Sequence, residues 1–202
     1  ETLRSRWHAD VTALCPTALP ERVAAEVTDL LDRWLEDHRS YHDAVHLAEV
    51  LAALDELHEG GDLPALDRHL AGLVAWYHDA VYDPAAPPGA NEEASAVLAE
   101  KRLTALGLPA ERVAHVATLV RDSATHEMSS TDAAARAFHD ADLWVLAAPT
   151  ERFDAYCFRG ACVPWWPRPQ GFHFGEGHVP ESLAKPRERH MEARFVISHI
   201  PG

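Results

Sequence analysis

Cysteine is scarce in this chain, with only Cys15, Cys157 and Cys162 among 202 residues. An odd count in a chain long enough to bury its own core suits a reducing cytoplasm better than a disulfide scaffold. Basic residues are also few: 18 Lys plus Arg stand against 32 Asp plus Glu, for a formal net charge of −14. Such a surface repels phosphate backbones and anionic lipid, so neither nucleic acid nor a membrane is an expected partner. A small anionic substrate held by a metal remains compatible, because the local field of a bound cation outweighs the global charge. No apolar run approaches the roughly 20 residues of a membrane span. The N-terminus lacks a basic patch followed by an apolar stretch, so no signal peptide is expected; Glu1 in place of Met leaves room for residues upstream. What is present, 47% hydrophobic and 25% charged residues, is the composition of one globular domain.

The body, residues 1–156, reads as helix after helix. Pro20 and Glu21 open the first clear one, and Val23, Val27, Leu30, Leu31, Trp34 and Leu35 continue it at three- and four-residue steps. A second helix is expected from about His42 to His58, stopped by Gly60-Gly61, and a third from Leu66 to about His78. Pro84, Pro87 and Pro88 make a loop. Asn91, as N-cap, opens a fourth helix that ends at Gly107, and Val113 to Val120 and Ala133 to Leu146 supply two more. No segment shows the strict alternation of a half-buried strand, so the expected fold is all-α.

Histidine is abundant, at 14 residues. His42 and His46 lie four apart, which on one helix puts both on one face. His78-Asp79 close the third helix, and Asp140 and Asp142 lie in the apolar segment Phe138-His139-Asp140-Ala141-Asp142-Leu143. Imidazoles and carboxylates together form a nitrogen and oxygen set suited to Mn, Fe, Ni, Co or Zn. Any one of these residues, taken alone, is more often a cap or a solvated side chain. Their joint occurrence in helical frames is what points to a metal.

The order His46, His78-Asp79, Asp142 resembles the HD-domain superfamily of metal-dependent phosphohydrolases. Further blocks narrow the resemblance to a small bacterial branch of predicted HD phosphohydrolases: Arg39-Ser40-Tyr41-His42, Tyr77-His78-Asp79-Ala80-Val81-Tyr82-Asp83, Asn91-Glu92-Glu93-Ala94-Ser95-Ala96, His126, and Asp140-Ala141-Asp142-Leu143. It spans about Trp7 to Tyr156. It implies an all-helical bundle, a divalent metal (Mn, Co, Ni, Mg, Fe or Zn) on His46, His78, Asp79 and Asp142, and hydrolysis of a nucleotide or another small phosphate ester. Asp142 is preferred to Asp140 because the family's Ala-Asp pair precedes the apolar turn.

Around this core, Arg39 is a candidate phosphate clamp through its fork geometry, and His126 a candidate substrate-side proton donor. Glu93 and His42 are candidate acid/base groups. Tyr41, Trp76 and Tyr77 read as core, and His8, His58, His69 and His115 as solvated positions. A di-iron oxygenase of the same superfamily would need His42 and His126 as further ligands. A non-catalytic metal or nucleotide sensor is the other alternative, and self-association into a homo-oligomer stays open.

Residues 157–202 break with the body. They hold half of the ten Gly, six of the 14 Pro and the pair Trp165-Trp166, and are expected to be loop-rich or poorly ordered. The family continues here with further helix, so this tail has either diverged or arisen from an altered reading frame. Cys157, Cys162, His173 and His178 mimic zinc-finger spacing, but the prolines between the pairs oppose such a finger.

Overall fold

The computed structural model describes residues 2–125, 131–150 and 152–153. His126 and the tail from Cys157 onward, with its Cys and His pairs, lie outside them. The described residues form seven α-helices and no strand: α1 (Leu3–Leu14), α2 (Pro20–Trp34), α3 (Ala44–Glu59), α4 (Ala65–Tyr77), α5 (Ala90–Leu106), α6 (Ala110–Asp122) and α7 (Ala133–Asp142). All seven belong to one compact unit, Glu1–Asp142. A second unit begins at Leu143 with a short 3-10 segment, Leu143–Ala147, where the expected continuation of α7 gives way.

The central element is α4, on which α1, α3, α6 and α7 pack. Every residue from Leu70 to Tyr77 is buried, the signature of a helix enclosed on all sides. By contrast α2 is one-sided, burying Val23, Val27, Leu30 and Trp34 along a single stripe. Each such side chain contributes about 1.5–3 kcal/mol of burial free energy. The α5–α6 hairpin turns at Gly107, whose φ of +92° lets Leu108 N–H reach back to the Leu103 carbonyl at 3.1 Å and close the helix.

Sequence patterning misses α1, because the buried Asp10 interrupts its apolar stripe of Trp7, Val11 and Leu14. Asp10 is fully enclosed, accepts hydrogen bonds from Arg68 and from His69 Nδ1 (2.9 Å), and sits where α1 crosses α4. A Cβ at Gly72 would come within 2.6 Å of its Oδ2, so only glycine fits that crossing. His69 is therefore a hydrogen-bond partner of a buried acid rather than a solvated residue. His58 likewise donates to the Leu63 carbonyl at 2.7 Å. Tyr41, Trp76 and Tyr77 are core, as expected.

Asn91 is not a cap. The N-cap of α5 is Gly89, and the Asn91 amide instead binds both backbone groups of Asp83 at 3.0 Å, pinning the Pro-rich loop. Ser95 holds the same loop through the Val81 N–H at 3.0 Å. No described helix is long and apolar enough to cross a membrane.

Candidate metal centre

Three helix ends meet at one place. Asp43 caps α3 by accepting the N–H groups of Val45 (2.9 Å) and His46 (3.1 Å), which fixes His46 in the first helical turn. His78 closes the C-terminus of α4 and Asp79 follows it; Asp142 is the last residue of α7. The two C-termini present the negative ends of their helix dipoles, which favours a cation.

The side chains converge tightly. His46 Nε2 lies 3.3 Å from His78 Nε2 and 3.1 Å from Asp142 Oδ1. His78 Nε2 is 3.1 Å from Asp79 Oδ2 and 3.4 Å from Asp142 Oδ1. His46, His78 and Asp142 offer ligand atoms all within 4.8 Å of one another, and so do His42, His46 and Asp79. The separations of 3.1–3.4 Å are those a divalent metal would need, since bonds of about 2.0–2.1 Å give ligand pairs about 3.0–3.4 Å apart.

The tautomer of His78 is set by its own helix. Its Nδ1 donates to the Ala75 carbonyl at 2.9 Å, so in the neutral ring Nε2 carries the lone pair and faces the cluster. Imidazole nitrogens and carboxylates thus gather in two overlapping groups that share His46. Only protons or a cation can hold such a set together, and the donors fit a divalent metal.

Charge agrees with geometry. Burial alone would raise the Asp79 carboxyl, but His42 and His78 beside it hold it well below the usual carboxylate range. Asp142 is likewise held low against its burial, by His78 and by hydrogen bonds from His46 and His78. Burial would lower the His78 imidazolium, yet Asp79 and Asp142 outweigh it and push it well above the ordinary histidine value. Aromatic rings wall the imidazoles: Trp34 lies 5.5 Å from His78, Phe138 5.2 Å from His78, and Tyr41 4.8 Å from His46. Phe138 precedes Asp142 by four residues, so one face of α7 supplies both the wall and the carboxylate.

His42 reaches the cluster by a different route from the one its spacing implies. Since α3 begins at Ala44, His42 is not on that helix; it lies in the preceding connection, and its Nδ1 donates to Asp79 Oδ2 at 2.6 Å. Burial lowers its pKa, but Asp79 more than compensates and the net shift is upward. Its side chain is 38% exposed, against 3% for both His46 and His78.

The other expected site residues are placed elsewhere. Asp140, 29% exposed, lies beside His139 and outside both ligand groups, which leaves Asp142 as the carboxylate of α7 in the cluster. Glu93 is 57% exposed and takes a two-pronged ion pair from Arg121, at 2.6 and 3.0 Å, so its carboxylate is engaged on the α5–α6 surface. Arg39 turns its fork inward, onto the Asp79 carbonyl (2.8 Å) and the His42 carbonyl (2.9 Å), rather than toward a ligand.

Sequence reasoning did not find Trp34 or the Ala75 carbonyl as parts of the site. Trp34 was legible only as the last member of an apolar stripe, and a backbone carbonyl carries no sequence signal. No family model, no curated protein and no solved structure matches this chain.

Proposed function

We propose that this protein is a metal-dependent phosphohydrolase that cleaves a nucleotide or another small phosphate ester with water. The convergence of His46, His78, Asp79 and Asp142 at three helix ends carries this reading. These four residues would hold the cation, with Mn, Co, Ni, Mg, Fe and Zn as its candidate identities. When bound, a divalent cation supplies Lewis acidity, lowering the pKa of water and neutralising charge on the phosphoryl group.

The chain's own residues divide the remaining work. Asp79 and Asp142 carry the negative charge, and the Ala75 carbonyl keeps His78 in register. His42 donates through Nδ1 to Asp79, which leaves Nε2 for a substrate. Its upward-shifted pKa suits it to give that Nε2 proton to the leaving oxygen as the P–O ester bond breaks and the bond from phosphorus to water oxygen forms. The aromatic wall keeps bulk water from the buried imidazoles, so fixed charges there act at reduced dielectric. A cytoplasmic setting and a small phosphorylated ligand, rather than nucleic acid, belong to the same proposal.

A second reading has one observation behind it. His42, His46 and Asp79 form a further ligand-type group beside the first, and an oxygenase with two irons would need such an additional set of donors.

Metal analysis of the purified protein, followed by anaerobic phosphate release from a panel of nucleotides and phosphate esters with Mn, Co, Ni or Mg, separates these outcomes. The expected result is one cation per chain with turnover, and loss of both in Asp79→Ala. Full metal content and activity in Asp79→Ala would overturn the site. Two irons with oxygen-dependent product would favour the oxygenase, and tight nucleotide binding without turnover would favour a sensor.

A further inference from the structure

Arg39 is the least exposed charged side chain near the cluster, with none of its surface reaching solvent. It lies in the connection between α2 and α3, and its guanidinium sits 5.4 Å from the ring centres of both Trp34 and Tyr82. Nη1 donates to the carbonyls of His42 (2.9 Å) and Asp79 (2.8 Å), Nη2 to that of Ala80 (3.4 Å), and Nε to Glu36 Oε2 (3.1 Å). Among the described residues, no backbone N–H donates to the Asp79 or Ala80 carbonyl. Arg39 thus ties the turn after α4 to the α2–α3 connection through three backbone carbonyls, beside the single bonds that His42 makes to the Asp79 carboxylate and His38 to the Tyr82 carbonyl (2.9 Å).

His42 and Asp79, whose backbones Arg39 joins, are also joined side chain to side chain at 2.6 Å. Neither lies inside a helix. The guanidinium therefore links their backbones where no helix does.

We propose that Arg39 is a positioning residue for the metal centre: it fixes the Asp79 carboxylate and its His42 partner at ligating distance and does not hold the substrate phosphate. This rests on the reading of the His/Asp cluster as a metal site. The planar fork is essential to it, since one nitrogen spans two carbonyls while its neighbours reach a third carbonyl and a carboxylate. A lysine ammonium keeps the charge but cannot span that set.

The test is titration of the full chain with Co²⁺ alone, reading affinity by calorimetry and ligand-field geometry by the visible absorption band. Arg39→Lys should bind Co²⁺ at least about tenfold more weakly, the usual cost of losing a partner that orients a ligand, with a shifted band. Val27→Ala, in the buried stripe of α2, serves as the stability control; it should melt earlier yet keep the wild-type affinity and band. Glu36→Ala, at a 40% exposed side chain, loosens the same strap without threatening the fold and should cost about threefold, as a surface ion pair does. It decides the matter if Arg39→Lys does not fold.

Wild-type affinity and spectrum in both Arg39→Lys and Glu36→Ala would overturn the proposal. So would an equal loss of Co²⁺ affinity in Val27→Ala. Unchanged Co²⁺ binding with weakened inorganic phosphate binding in Arg39→Lys would return the residue to a phosphate clamp. Failure of the wild-type chain to bind Co²⁺ would instead sink the metal reading itself, and this proposal with it.

Discussion

Two fully buried tryptophans differ in one respect that a pair of substitutions can read. Trp7 Nε1 donates to the Val23 carbonyl at 2.9 Å and Trp34 Nε1 to the Trp76 carbonyl at 3.0 Å. Val23 lies inside α2, so its carbonyl keeps a helical N–H partner whatever happens to Trp7. Trp76 lies in the last turn of α4, where the Ala80 N–H bonds Tyr77 instead, and the indole is the donor its carbonyl receives among the described residues. Changing either residue to Phe removes about 40 Å³, worth about 1 kcal/mol if the cavity persists. For Trp7→Phe the lost bond adds about 0.5–1 kcal/mol, because the acceptor stays satisfied. For Trp34→Phe an enclosed carbonyl is stranded, adding about 1–3 kcal/mol. The expected totals are about 1.5–2 kcal/mol for Trp7→Phe and about 2–4 kcal/mol for Trp34→Phe. In a domain of this size each kcal/mol lowers Tm by about 2–4 °C. Urea unfolding followed by far-UV circular dichroism checks both, with unchanged m-values as the sign that stability alone has moved. Since His78 follows two residues after Trp76, Trp34→Phe should also weaken Co²⁺ binding while Trp7→Phe does not. An equal or larger stability cost for Trp7→Phe would refute the argument that the indole caps α4.

Glu26 is buried between Tyr77, which donates to it at 3.0 Å, and Arg102, and burial raises its pKa above the ordinary glutamate value. A raised folded-state pKa contributes stability that is full below the unfolded value and lost as pH rises through the folded one. Glu26→Gln keeps the Tyr77 bond and removes the titration, so wild type should lose ground to the variant in Tm as pH rises above about 4.5, the ordinary glutamate value. A difference curve that rises with pH would contradict the assigned cause. On the surface, Glu93→Gln breaks the pair with Arg121, and it is expected to leave Co²⁺ affinity and turnover at wild-type levels. A large loss of turnover with intact metal binding would restore Glu93 as an acid/base group.

The helices that sequence patterning located are those whose apolar stripe and stop signals agree. The stripe and Pro20 mark α2, Gly60-Gly61 mark the end of α3, and Gly107 marks the end of α5. The first helix escaped because its crossing with α4 is built on a buried carboxylate, which reads as a surface residue in any pattern of apolar positions. The cluster was legible in its residue types: His46, His78 and Asp142 form one ligand-type group, and Asp79 joins His42 and His46 in the other. What spacing misjudged was His42, because a four-residue step implies a shared helical face only where both residues are helical. Arg39 shows a related limit: its fork suits a phosphate and a set of carbonyls equally well. Which of these it meets depends on how the α2–α3 connection folds back, a tertiary matter.

The ligands of the candidate site come from widely separated parts of the chain, with Asp142 at the very end of the last helix of its unit. A ribosome delivers His46, His78 and Asp79 long before it delivers Asp142. The partial set emerging first has one carboxylate fewer and lacks the Phe138 wall, so it is a smaller and more open set of donors. The full donor set assembles only when α7 docks on α3 and α4, at the cost of closing a loop of about 100 residues. Assembly of the candidate site is in this way tied to the arrival of α7, and a chain that stops short of that helix lacks one of its carboxylates.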